Sequence, residues 1–164
     1  MSNPPNASSQ QPHSARIPAS AAALGFSGLI PFLVPAIGLW LVGSNYQFEL
    51  VTALVAYGAV ILSFLGGVRW GVAITRNSQL PGWAALILSV IPSLIGWLAL
   101  LLHFMLSQSL ALILLAVGFI AQYLLDRRAT VTGDLPAWFG RLRLYLSCGA
   151  ILSILAGTIR LALA

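Results

Sequence analysis

The sequence predicts an all-α, polytopic membrane helix bundle with five transmembrane helices. Three observations carry this. First, 59% of the 164 residues are hydrophobic and only 7% are charged, with a mean hydropathy of +0.95. A soluble domain is about 45–50% apolar and about 25% charged, and one of this length has nowhere to bury such an excess. Second, the gaps between charges have the length of helical spans. There are 32 uncharged residues between Arg16 and Glu49, and 49 between Arg76 and Asp126, room for two spans and a turn. Third, the apolar runs are continuous rather than alternating, which argues against barrel strands, the other structure that satisfies its backbone within lipid.

Residues 1–20, rich in Pro, Ser, Gln and Asn, predict a disordered polar tail, and 21–164 form the transmembrane domain. The spans are read as Ala21–Gly43, Leu50–Ile74, Gly82–Leu102, Leu110–Leu125 and Leu142–Leu163. Pro31 and Pro35 in the first span and Pro92 in the third each lack an N–H, free a carbonyl one turn earlier, and predict kinks. His103 and Ser107-Gln108-Ser109 break the long central stretch. Pro136-Ala137-Trp138 either starts a short helix or leads directly into the fifth span.

The charges set the orientation. The chain has eight basic residues, all Arg, and three acids. Arg16, Arg69, Arg76, Arg127, Arg128, Arg141 and Arg143 fall on one side, and Arg160 alone on the other. By the positive-inside rule the N-terminus is cytoplasmic and the C-terminus outside. Trp70, Trp83, Tyr123 and Trp138 then mark the inner boundary, and Trp40 and Tyr46 the outer one. The same asymmetry accounts for the net charge of +5 without nucleic acid, since no Arg-rich stripe or RNA-binding motif accompanies it.

Two stripes of small residues, Ser63/Gly67/Gly71 and Gly149/Ser153/Gly157, let helix backbones approach closely. Five helices need such seams internally; a homodimer seam is the other reading.

The chemistry on offer is sparse. Gly25-Phe26-Ser27-Gly28 has the GxSG form of intramembrane serine proteases, but its base would have to be His103, at the other face of a bilayer about 30 Å thick. His13 lies in the tail. The motif therefore reads as packing. No haem, zinc or other cofactor is expected, because Glu49 and His103 are the only two ligand types at one depth and the single Cys148 has no Cys partner. His103 reads as an interfacial polar residue.

The inner boundary carries the best constellation. Arg69 lies inside the second span on a face shared with Gly58, Leu62 and Gly66. Asp126 ends the fourth span, one turn beyond Gln122 and two beyond Gly118. An ionisable residue inside a span needs a partner, so Arg69 and Asp126 are expected to pair, with Gln122 beside them. The competing reading has Arg69 reaching out to the headgroups and Asp126 paired with Arg127 or solvent. Tyr57, deeper in the second span, points to the same cavity or to the core. The 126–143 segment, with Trp138 and Arg143, suits anionic headgroups or simple anchoring. The candidate ligand-binding set is Arg69, Gln122, Asp126, Tyr57, Trp138 and Arg143.

Several stretches resemble a known family. They are Leu24 to Phe32 (LGFSGLIPF), Tyr57 to Gly71 (YGAVILSFLGGVRWG), Gln122-Tyr123 with Asp126, and Pro136-Ala137-Trp138 followed by Leu142-Arg143. Together they are similar to the uncharacterised domain-of-unknown-function family that includes eukaryotic transmembrane protein sixty-nine. The resemblance implies a small multi-pass protein of the bacterial cytoplasmic (inner) membrane with mitochondrial relatives. It brings no reaction and no catalytic residues, and it adds weight to Arg69 within the Tyr57–Gly71 motif.

The function expected is that of an integral membrane protein without catalytic chemistry. It binds a membrane lipid or a protein partner as an assembly or stability factor. The alternative is a small-ligand carrier or permease with an inward-opening polar pocket between the second, fourth and fifth spans.

Overall fold

The computed structural model describes residues 16–42, 44–75 and 82–163. Most of the expected polar tail and the Arg76–Gln79 loop lie outside the described residues. The helices are α1 (Ala19–Ser27), α2 (Ile30–Leu41), α3 (Gln47–Thr75), α4 (Trp83–Met105), α5 (Gln108–Val131) and α6 (Ala137–Ala162), with a single 3-10 turn at Ser44–Tyr46. Counting α1 and α2 as one, five segments among the described residues are long and apolar enough to cross a membrane. The chain is an all-helical, membrane-embedded, multi-pass bundle.

Three differences from the sequence reading matter for the site. The first span is broken in two rather than kinked. The Leu29 N–H turns back to the Phe26 carbonyl and the Phe32 N–H to that of Leu29. That leaves the Gly28 carbonyl without its usual helical donor, and Tyr57 Oη donates to it across 2.9 Å. Pro31 sits in the first turn of α2, where its missing N–H costs nothing. The other two differences are in the fourth and fifth spans. Asp126 does not end a helix, because α5 runs on past it to Val131, and α6 begins directly at Ala137 after Pro136. The link between them is a tight turn in which Gly133 takes φ +79, a conformation that suits glycine. The expected 126–143 loop is therefore mostly helix.

α3 is the central element. Its Val51, Leu54, Val55 and Leu62 pack with Leu112, Leu115 and Phe119 of α5, Ile154 of α6, and Phe32 and Leu39 of α2 to form the core. In lipid no hydrophobic force draws helices together, so close packing has to do so. Gly96 of α4 rests on the Ala59 backbone, and Gly66 of α3 lies against the Ser89 carbonyl, with no room for a Cβ at either. Ser63 and Ser93 hydrogen-bond across the same seam at 3.0 Å.

The two small-residue stripes behave differently. Gly149 and Gly157 face Leu29, Leu39 and Leu54 inside the bundle, and Ser153 is buried. Gly67 and Gly71 have nothing within reach of a Cβ, so of that stripe only Ser63 meets a neighbour, and the packing glycines of α3 are Gly58 and Gly66, on the face shared with Arg69.

At the end opposite the arginines, Arg160 Nε donates to the Leu39 carbonyl (3.1 Å) and Trp40 Nε1 to that of Ala156 (3.3 Å), joining α2 to α6. His103, in the last turn of α4, is buried among its neighbours. It stacks on Phe48 and lies 2.7 Å from Thr52 Oγ1. The Thr52 hydroxyl already donates to the Phe48 carbonyl, which leaves His103 Nε2 as the donor.

Candidate functional site

The arginine-rich end holds a buried ion cluster built by α3, α5 and α6. On α5, Gln122 and Asp126 are one turn apart and face inward, so Gln122 Nε2 donates to Asp126 Oδ1 at 3.0 Å. The tight turn folds α6 back against α5 and brings Arg143 alongside, where its Nε donates to Asp126 Oδ2 at 2.8 Å. Arg69 approaches from α3, with a guanidinium nitrogen 3.7 Å from Asp126 Oδ1. That is ion-pair distance, not a hydrogen bond. Asp126, Gln122 and Arg143 are almost wholly buried, while the Arg69 side chain is 19% exposed. Thr130 returns its hydroxyl to the Asp126 carbonyl, the helix's own backbone.

The expected pairing of Arg69 with Asp126, with Gln122 beside them, is present, but Arg143 is the closer partner. Arg143 stood in the candidate set as part of a headgroup-facing segment. Its pairing with Asp126 was not visible in the sequence, because the two are 17 residues apart across a segment read as a loop. Tyr57 is not part of the cluster and instead holds the break between α1 and α2. Trp138 lies in the first turn of α6, edge-on to Phe139. Ser147, one turn beyond Arg143, is a buried polar residue that sequence reasoning did not single out. Its i, i+4 spacing from Arg143 was the available signal.

The cluster is incompletely satisfied from within. Arg69 Nε, Arg143 Nη2, Gln122 Oε1 and Ser147 Oγ are buried without a hydrogen-bond partner among the described residues. Both Asp126 oxygens are engaged. The cluster sets two guanidinium groups against one carboxylate.

Beside it lies a cleft of about 300 Å³. Its wall is formed by α1 (Leu24), the break after it (Gly28, Leu29), α3 (Phe64, Val68) and α6 (Trp138, Leu146), among others, and among the described residues Arg143 is the one charged side chain on it. Leu24 and Phe64 are strongly exposed, so the mouth opens on the apolar flank of the bundle. The space therefore does not match a polar pocket between α3, α5 and α6.

Among the described residues no group of three or more His, Cys, Asp or Glu comes together. The Ser27 hydroxyl donates to the Leu24 carbonyl, and His103 lies at the other end of the bundle.

Residues 17–159 match the model of a family described as "Protein of unknown function (DUF3429)". The chain is 41% identical over 143 residues to Transmembrane protein 69 of Xenopus tropicalis, covering 87% of this chain and 54% of that one. It is 31% identical over 137 residues to Transmembrane protein 69 of Mus musculus, covering 83% and 54%. The chain thus spans about half the length of the curated relatives it matches. No solved structure matches.

Proposed function

We propose, on the premise that the chain belongs to the DUF3429 family, that it is a non-enzymatic membrane protein that holds a lipid in its cleft. It would serve as an assembly or stability factor. One observation carries this reading: an apolar cleft that opens on the membrane-facing flank and meets a buried, polar cluster at one side. An apolar recess with a few convergent polar groups is the usual form of a small-molecule site, and here the surrounding solvent is acyl chain. The carrier reading would need a polar path, and it draws less support from a wall with one charged residue.

The same proposal places the arginine-rich end at the cytoplasmic side of a bacterial inner membrane, supported by the positive-inside bias. The relatives named above are eukaryotic.

The test is lipid extraction and native mass spectrometry of the purified chain. An acyl lipid is expected to co-purify at about one per chain. Val68→Trp, which adds bulk to the cleft wall from α3 and leaves every charged residue in place, is expected to lose it while the melting temperature is kept. Equal lipid content in the variant would refute the reading.

A further inference from the structure

We infer that the occupant of the cleft is a single-chain amphiphile with one anionic head, a carboxylate or a phosphate monoester, docked on Arg143. This deepens the lipid-holding reading above and rests on it.

Charge is the first argument. The cluster's formal balance is one positive charge in excess, because the single carboxylate of Asp126 faces the guanidinium groups of both Arg69 and Arg143. Arg69 is partly open to solvent, so the charge that a neutral head would leave poorly met is that of the buried Arg143 end, and a cationic head would add to it. A single anion neutralises it.

The free donors are the second. Arg143 is 5% exposed and lies on the cleft wall, and its Nη2 has no partner. A buried charged donor without an acceptor is costly, and a charge-assisted bond to an anion is the strong way to satisfy it. Arginine's planar fork suits both carboxylate and phosphate oxygens.

Size and wall chemistry are the third. A volume of about 300 Å³ is at the small end for ligand sites. Lined by Leu24, Leu29, Phe64, Val68 and Leu146, it takes one acyl chain and not two.

The head and the tail can be tested together by quenching of Trp138, which lies on the wall. Trp40, Trp70, Trp83 and Trp97 are replaced by Phe in the full chain, purified in a maltoside detergent. Dibrominated stearate, stearyl phosphate and stearyl alcohol are then titrated. We expect saturable quenching by the two anions, with affinity at least about tenfold above the alcohol's, the worth of a charge-assisted hydrogen bond. The tighter of the two anions tells a fatty acid from a phosphate-headed lipid. Arg143→Gln should erase the preference for anions while retaining binding of the alcohol. Because that change strands Asp126, Arg143→Gln with Asp126→Asn is measured beside it, with melting curves for both.

Equal affinity for stearate and stearyl alcohol would overturn the anionic head and leave the lipid-holding reading intact. An unchanged anion preference in the folded double variant would overturn the role of Arg143. Displacement of the probe by a diacyl phosphatidylglycerol as readily as by stearate would overturn the single chain. Quenching by none of the three would sink both this inference and the reading beneath it.

Discussion

Asp126 is the acceptor on which three helices converge, and its partners are not equivalent. Arg143 is buried and bonded at 2.8 Å, whereas Arg69 is partly exposed and stands at 3.7 Å. Removing one partner of a buried pair leaves the other uncompensated, at about 3–5 kcal/mol. Arg69 can relieve its charge by reaching toward water. Asp126→Ala and Arg143→Ala are therefore expected to lower the melting temperature in detergent more than Arg69→Ala. The Asp126/Arg143 double-mutant cycle should give a coupling of about 1–2 kcal/mol, above the average of about 0.6 kcal/mol for polar contacts between membrane helices. The Asp126/Arg69 cycle should give less, and a reversed order would show that geometry does not rank these contacts. Arg69 and Asp126 were legible in the sequence because ionisable residues inside spans are rare, and Gln122 because it lies one turn before Asp126. The dominance of Arg143 was not. It depends on a turn short enough to lay α6 on α5, and seven arginines near one boundary look alike until that turn is known.

Between elements, the α3–α4 seam shows how finely small residues are placed. Gly66 and Gly67 are neighbours, yet one lies against the Ser89 carbonyl and the other faces open space. Gly66→Ala should force the backbones apart and cost about 1–3 kcal/mol, as overpacking does. Gly67→Ala should be neutral or stabilising, since alanine is the better helix former. Melting of the two variants in the same detergent decides it, and comparable losses would contradict the packing described above. Helix periodicity offered two small-residue faces on α3, Ser63/Gly67/Gly71 and the Gly58/Gly66 face of Arg69, and the structure packs its glycines on the second. The choice depends on where α4 crosses, which no local pattern in α3 encodes. The break at Gly28 was hidden for a similar reason. Pro31 announced a disturbed helix, and only the reach of Tyr57 from α3 shows how the freed carbonyl is satisfied.

At the scale of the whole molecule, the number of spans and their approximate limits were legible because composition leaves few alternatives. Their ends were not, since turn geometry and ion pairing let α5 carry Asp126, Arg127 and Arg128 inside the helix. Orientation rests on charge. Reporter fusions at Gly133 are expected on the cytoplasmic side, and fusions at Asn45 and Leu106 on the other. External access to the Gly133 turn would reverse the assignment. The joint between α2 and α6 has a consequence of another kind. Trp40 meets Ala156, and Leu39 meets Arg160, over separations of 116 and 121 residues. Contacts that distant in sequence form late. Once α3 and α4 are made, α2 can pack against α3, but its Leu39 carbonyl still lacks Arg160 and its Trp40 still lacks Ala156. The ring of helices closes, and the wall that α6 lends to the cleft exists, only after α6 has been synthesised.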